Sequence, residues 1–415
     1  MNPTIIEDVR ARKIVDSRGN WTIEVDVITR FGFGRCAAPS GASVGKYEVI
    51  AFPENDVDKA IVEIEESVCP ELIGMDAEEQ ENIDAVLKEV DGTNDFSNIG
   101  GNAALALSLA NAKAAANAFG MPLYQYLGGN LATEIPYPLG NAIGGGRHAI
   151  HGPDIQEFLV LPIGAESILD ALRVNTMVYK RVGAILSARG IANFGRGDEG
   201  AWAPGIDDMK ALKILSEARA EVQEETGIEL RLGMDVAAGE LWDEKKGMYT
   251  YKREGVDRTR EEQIEHIVEI IEENSLYYVE DPLEENDFDG FSELSEKADC
   301  LICGDDLYVT NVKRINDGAK KRSTNAVLIK PNQCGTMTDT FKAVKVAKNN
   351  HMVPVISHRS GETTDNTISH LAVAFGCPII KTGIVGGERI AKLNELVRIS
   401  EELTAQRAKM AAVPD

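Results

Sequence analysis

From about residue 155 onward the chain repeats one pattern, a short apolar run followed by an amphipathic stretch of helical period. The apolar runs fall at 155–161, 230–235, 277–281, 301–305, 326–330, 353–358 and 379–382. Helical patterns lie between them at 165–187, 207–225, 260–273, 336–349 and 388–403, and Thr259 with Glu262 makes a capping box ahead of one of these. Strand–helix alternation sustained this long predicts an α/β protein with a parallel sheet, and the number of units favours a closed (β/α) barrel. An open, doubly wound sheet would carry a phosphate-binding glycine fingerprint after its first strand, and the sequence has none.

The C-terminal ends of the runs carry the chemistry. One ends in Asp235, the next in Glu280-Asp281, the next in Asp305-Asp306, then Lys330, then His358-Arg359. In a (β/α) barrel these ends converge on the face where active sites are built. Pro282 and Pro331 support the placement, since each biases the residue before it toward extended backbone. A single acid at a strand end is an ordinary helix cap or solvated loop residue. Acids from three neighbouring strands cannot sit together ionised without a cation, and hard oxygen ligands suit magnesium or manganese. Zinc is disfavoured because no His or Cys joins the cluster. Lys330 beside them has two readings: an ion pair with one of the acids, or an amine that abstracts a weakly acidic proton next to a carboxylate, with divalent ions stabilising the resulting charge.

The first region reads differently. Ile23, Val25 and Val27 alternate with polar residues, and a turn at Phe31-Gly32 leads into a second strand, a hairpin signal. Helical stretches follow at 57–68, 77–90 and 102–118, the last Ala-rich, almost uncharged, and therefore expected to be buried on most sides. Gly128-Gly129-Asn130 is the expected boundary between a first domain at 1–130 and a second at 131–415. The segment Gly41-Ala-Ser-Val-Gly45-Lys46 is not a P-loop: it has three residues between glycines instead of four, and Tyr47 stands where Ser or Thr should be.

The formal charge of −24 opposes binding to nucleic acid or to an anionic membrane. It leaves room for a small anionic substrate held through bound cations. No apolar run is long enough to span a bilayer, and Met1-Asn2-Pro3-Thr4 does not open a signal peptide. Six scattered cysteines read as reduced thiols, so a cytoplasmic location is expected; Cys300 and Cys303 form a C-x-x-C with no partner pair, on a strand where they point to opposite faces.

Together the motifs are specific. Asp16-Ser-Arg-Gly-Asn20, Pro39-Ser-Gly-Ala-Ser43, Gln156-Glu157-Phe158, Gly197-Asp-Glu-Gly200, Gly233-Met-Asp-Val236 and Val279-Glu-Asp-Pro282 continue into Gly304-Asp-Asp-Leu307, Ile329-Lys-Pro-Asn-Gln333, Ser357-His-Arg-Ser-Gly-Glu-Thr363 and Ile380-Lys-Thr-Gly383. Over nearly its whole length the chain resembles the enolase family. The resemblance implies a magnesium-dependent lyase that dehydrates 2-phosphoglycerate to phosphoenolpyruvate, with two Mg2+ per active site. It implies an N-terminal α+β capping domain before an atypical barrel of enolase type, and a homo-oligomer, dimer or octamer. Carried over by residue, it gives the first metal to Asp235, Glu280 and Asp305, and a share of the second to Ser43. Lys330 would take the C2 proton, and Glu199, supported by Glu157, would act on the departing C3 hydroxyl. His148 and His358 would line the pocket, Arg359 and Ser360 would grip the phosphate, and Lys381 would bind the carboxylate.

Several loops depart from the family pattern. Trp21 replaces a proline, the Arg-Asp pair usual after Tyr47-Glu48 is missing, and Gly144-Gly-Gly-Arg147 replaces Asn-Gly-Gly-Ser. The segment from Asn193 to Gly197 is longer, Ala201 and Gly239 replace Gly and Ser, and Ile384-Val-Gly-Gly387 replaces Pro-Ala-Arg-Ser. Lys46, Arg147 and Arg196 thus become extra basic residues near the expected site. Each is either a solvated loop charge or part of a site for a different, more anionic substrate. Two further readings therefore stay open: a paralogue using the same proton abstraction on another phosphorylated or carboxylic acid, and a non-catalytic relative.

Overall fold

The structure, a computed structural model, describes residues 2–41, 44–149, 151–403 and 408–414, and only the backbone of Phe194. Its centre is a closed barrel of the strands Tyr137–Gly144, Glu157–Leu161, Arg231–Asp235, Leu276–Glu280, Leu301–Gly304, Ala326–Ile329, Val353–Ser357 and Ile379–Lys381. Closure comes from parallel pairing of the last strand with the first, Ile379 to Tyr137 through Lys381 to Leu139. The helices Arg260–Asn274, Phe288–Lys297, Val312–Lys321, Met337–Asn349 and Thr367–Ala374 link successive strands, and Gly387–Glu402 follows the last. The capping box is formed, with Thr259 and Glu262 bonding each other's backbone at the start of its helix.

The expected run of identical units breaks at its start. Glu157–Leu161 follows Tyr137–Gly144 with no helix between them and pairs antiparallel with both its neighbours. The helices Ile168–Ala188 and Asp208–Thr226 come after it, separated by the small hairpin Asn193–Arg196 and Trp202–Pro204. The strand Tyr137–Gly144 is fully buried, yet it contains Pro138, Gly140 and Asn141, residues that read as turn rather than strand. Reversal of one strand has a direct consequence for function: it is the N-terminal end of Glu157–Leu161 that reaches the face where its neighbours end. The register sets Glu157 directly beside Asp235.

Ahead of the barrel, Ile6–Val15, Trp21–Thr29 and Phe33–Ala37 form an antiparallel sheet in that order. The Ala-rich helix Gly101–Ala118 packs on it and is buried along nearly its whole length. The approach is so close at Gly34 that a Cβ there would fall 1.9 Å from the Ala110 carbonyl oxygen, so only glycine fits. Lys113, the one charge in this helix, is tied off by Asp365 at 2.9 Å. No helix among the described residues is long and apolar enough to cross a membrane, and all six cysteines are free thiols.

This N-terminal unit is fastened over the strand-end face of the barrel by polar contacts. Ser40 bridges Gly361, Asn332 donates to Asn102 Oδ1 at 3.2 Å, and Ser108 Oγ accepts from Met337 N–H at 3.0 Å. Asp84, buried, accepts from Thr338 N–H at 2.9 Å, Ser108 O–H at 2.6 Å and Gln80 Nε2 at 2.9 Å. Its carboxylate therefore satisfies groups on both sides of the junction. Replacing Asp84 with Ala leaves these donors unpaired and is expected to lower unfolding free energy by about 1–3 kcal/mol. Urea denaturation of Asp84→Ala against wild type measures this, and an unchanged midpoint would contradict it.

Candidate active site

A polar cavity opens at the strand-end face, and its walls include Asp235, Asp305, Lys330, His358, Arg359 and Lys381 together with Glu157 and Glu199. They come from several different strands of the ring, with His358 and Arg359 following the same one. Asp235 and Glu280 stand side by side at the ends of adjacent parallel strands, and Lys330 follows the strand Ala326–Ile329. Lys381 ends the last strand, paired with Ser357. Glu199 lies on the segment between the two strands of the small hairpin.

Two lysines divide the acids between them. Lys381 donates to Asp235 Oδ2 at 3.0 Å and to both Glu280 oxygens at 2.9 and 2.8 Å, and its Nζ lies 3.1 Å from Glu157 Oε2. Lys330 is ion-paired with Asp305, whose other oxygen accepts from Gln333 Nε2 at 2.9 Å. Burial works to raise Asp305, but the Lys330 ammonium outweighs it and holds this carboxyl below its usual range. Glu280 goes the other way: burial, reinforced by the Asp235 charge, pushes it well above the usual range. Burial works against the charged form of both lysines, but the adjoining carboxylates win and raise each of them.

The expected metal triad is thus on one face but split. Among the described residues, the groups whose ligating atoms lie within 4.8 Å of one another are Asp281–Asp305–Asp306 and His148–Glu157–Glu199. Asp235 and Glu280 are drawn toward Lys381, and Asp305 toward Lys330. The residues nonetheless fit a divalent cation. The donors are hard carboxylate oxygens, and the ammonium of Lys381 already stands as a cation between Asp235 and Glu280. The buried acids also outnumber the cations that face them, with burial and then Asp305 raising Asp306 to about 8. Ser43 lies outside the described residues.

A second group faces the first across the cavity. His148 Nδ1 lies 3.2 Å from Glu157 Oε1 and 3.9 Å from Glu199 Oε1, while His358 Nε2 lies 3.2 Å from Glu199 Oε1. Burial, then the neighbouring Glu199 charge, raises Glu157. Burial also works to raise Glu199, but the two histidines hold it down. Burial and its neighbour's charge thus favour the protonated form of Glu157, while the histidines favour the ionised form of Glu199. Arg359 forms a two-pronged pair with Glu48, Nη1 to Oε2 at 2.9 Å and Nη2 to Oε1 at 3.1 Å, and also donates to Asn332 at 2.8 Å. Ser360 lines the same cavity.

Sequence reasoning missed several supporting residues. Asp281 adopts φ +41° and accepts the Asp305 and Asp306 N–H groups at 3.0 and 2.7 Å, so it fixes the next strand end. Thr310 accepts from the Lys330 backbone N–H at 2.9 Å and donates to Gln333 at 2.7 Å, linking the lysine to the residue that holds Asp305. Tyr278 donates to Glu280 Oε2 at 2.7 Å. Only Asp281 had a signal, as the second acid of its pair; Thr310 is distant in sequence from Lys330 and Gln333, and Tyr278, two residues before Glu280, reads as an ordinary strand residue. The three extra basic residues do not line the cavity. Arg147 pairs with Glu240 at 2.7 Å, Arg196 lies over the Tyr179 ring, and Lys46 lies over the Tyr47 ring.

Comparison with known proteins agrees with this architecture. Residues 6–127 match the family model described as enolase, N-terminal domain, and residues 132–413 match that described as enolase, C-terminal TIM barrel domain. Over 415 residues the chain is 55% identical to the enolase of Methanothermobacter thermautotrophicus, covering 99% of each. It is 55% identical to that of Methanosphaera stadtmanae over 96% of this chain and 98% of the relative, and 50% identical to that of Archaeoglobus fulgidus over 98% and 100%. With matches along both units of the chain and a closed barrel carrying its acids at the strand ends, the protein belongs to the enolase family.

Proposed function

We propose that this enzyme is a metal-dependent lyase that dehydrates 2-phosphoglycerate to phosphoenolpyruvate, with Mg2+ as its metal. The observation that carries this is one cavity lined by an amine, Lys330, by a carboxyl pair, Glu157 and Glu199, and by the strand-end acids Asp235 and Asp305. That is the equipment for removing a proton at one carbon and assisting loss of a hydroxyl at the next. No observation favours a different acid as substrate, since Lys46, Arg147 and Arg196 are engaged outside the cavity.

Asp235, Glu280 and Asp305 would hold one metal ion, and the family resemblance gives Ser43 a share of a second. When bound, the metal supplies positive charge against the doubly negative carboxylate that forms as the C2 proton leaves. Lys330 takes that proton as a neutral amine, so its ammonium must first leave Asp305 and give up a proton to solvent, which a cation held by Asp305 would favour. Glu199 delivers a proton to the C3 hydroxyl, supported by Glu157, and His148 Nδ1 lies near both carboxyls. Lys381 turns from the acids to the substrate carboxylate, and Arg359 with Ser360 receives the phosphate. Both lysines and the arginine are held at the cavity by carboxylates, so their positive charge is already in place there before an anionic substrate arrives. The same reading takes 1–130 as a capping domain and 131–415 as the catalytic one. It makes the protein a cytoplasmic homo-oligomer, dimer or octamer, with neither nucleic acid nor membrane as a partner.

Purified protein with Mg2+ is expected to convert 2-phosphoglycerate, followed by enol absorbance, with activity lost on chelation and restored by Mg2+. Turnover that survives chelation would remove the metal from the account, and absence of turnover with Mg2+ would remove the substrate. Lys330→Ala is expected to cut exchange of the C2 proton with solvent by about 10²- to 10⁴-fold. Metal binding by the variant, measured calorimetrically, should persist. Exchange at the wild-type rate would show that another group is the base.

A further inference from the structure

Among the described residues, Arg389 is the largest side chain fully withdrawn from solvent, at 0% exposure. It sits in the first turn of the helix Gly387–Glu402, which begins at Gly386 with φ +115°, a conformation suited to glycine. Its guanidinium is turned into the backbone around the cavity. Nη2 donates to the Ser360 carbonyl at 2.6 Å and to the Asp198 carbonyl at 3.1 Å, and Nη1 donates to the Arg359 carbonyl. Nη1 also lies 2.8 Å from His358 Nδ1.

That last contact decides the protonation pattern of the ring. A guanidinium offers only donors and does not lose its proton in proteins. His358 Nδ1 must therefore accept, and an accepting nitrogen carries no hydrogen. The neutral ring then has its single proton on Nε2, the atom 3.2 Å from Glu199 Oε1. We infer that Arg389 is a positioning residue that locks His358 as the Nε2–H tautomer and so places a proton, not a lone pair, on the ring nitrogen beside Glu199. The inference rests on the reading of Glu199 as the group that acts on the leaving hydroxyl.

The surroundings keep the ring neutral. Burial lowers the His358 imidazole to about 4, and Arg389 adds to this, although Glu199 and the more distant Glu362 pull the other way. Oε1 of Glu199 lies 3.2 Å from His358 Nε2, and Oε2 accepts from Asn141 Nδ2 at 3.3 Å. The carboxyl is thus held in one orientation from both sides. With the opposite tautomer, a bare Nε2 lone pair would face a carboxylate oxygen, and the repulsion would turn one of the two groups away. By binding the carbonyls of Asp198, Arg359 and Ser360 as well, the same guanidinium ties the segment bearing Glu199 to the segment bearing the phosphate-binding residues.

The test reads the tautomer directly. The chain has six histidines, so a long-range proton–nitrogen spectrum of histidine-labelled, substrate-free protein is tractable, with His358→Gln assigning the signal. The wild type is expected to show the Nε2–H pattern with a bare Nδ1 at neutral pH. Arg389→Met, which removes the donor, is expected to shift His358 toward the Nδ1–H form. It should lower kcat on 2-phosphoglycerate by about 10- to 100-fold with KM changed less than about twofold. Arg389→Lys, which keeps the charge and one donor, should recover part of both. A wild-type ring that is Nδ1–H or doubly protonated overturns the inference without any variant. So does an Arg389→Met protein that folds and keeps both the tautomer and the wild-type kcat. The expected tautomer in a protein that fails to turn over 2-phosphoglycerate would instead support the lock and contradict the function assigned to Glu199.

Discussion

Everything at the centre of this protein depends on a surplus of buried negative charge at one end of the barrel. Asp235, Glu280, Asp281, Asp305, Asp306, Glu157 and Glu199 converge there, and they are answered by Lys330, Lys381 and an Arg359 already matched by Glu48. Water cannot screen charges at this depth, so each carboxylate must take a cation, take a proton or accept backbone N–H groups. The structure uses all three. Lys381 gathers Asp235 and Glu280, Glu280 and Asp306 are pushed toward their protonated forms, and Asp281 is satisfied by two N–H donors. A divalent cation is the one addition that would relieve the whole cluster, which is why an arrangement costly for folding suits binding.

Two topological features bring the groups together. The reversed strand Glu157–Leu161 presents its first residue, not its last, to the face where its neighbours end, so an acid and a proton partner join the metal-binding side from an unexpected direction. The N-terminal unit then closes over that face through Ser40, Asn102 and Glu48, the last held by Arg359. Folding and site assembly share contacts here, since Asn332 bonds both Arg359 and Asn102.

Much of this was legible in the sequence. The acids at 235, 280 and 305 and the lysine at 330 stand out because strand ends in a barrel converge, and apolar runs locate strand ends well. Five barrel helices were legible from their period, one also from its capping box at Thr259, whereas the shorter Phe288–Lys297, Val312–Lys321 and Thr367–Ala374 were not. The first barrel strand was not, because Pro138, Gly140 and Asn141 imitate a turn and only tertiary burial overrides them. The antiparallel direction of Glu157–Leu161 was equally hidden, since strand polarity leaves no mark in composition. Arg389 was invisible for another reason: an arginine in a first helical turn reads as a surface charge, and only the fold turns it inward to His358. The split of the acids between Lys330 and Lys381 follows from side-chain geometry, which spacing does not encode.

The central claim is that the strand-end acids form a cation site. Its most direct test is the thermal midpoint of the substrate-free protein as Mg2+ is added, compared with Glu280→Gln. A ligand that binds only the folded state stabilises it by about 2.7 kcal/mol at a hundred times its Kd, so the wild-type midpoint should climb with Mg2+ concentration. The variant, lacking one carboxylate, should show little or no rise. A wild-type midpoint indifferent to Mg2+, or an equal rise in both proteins, would contradict the account.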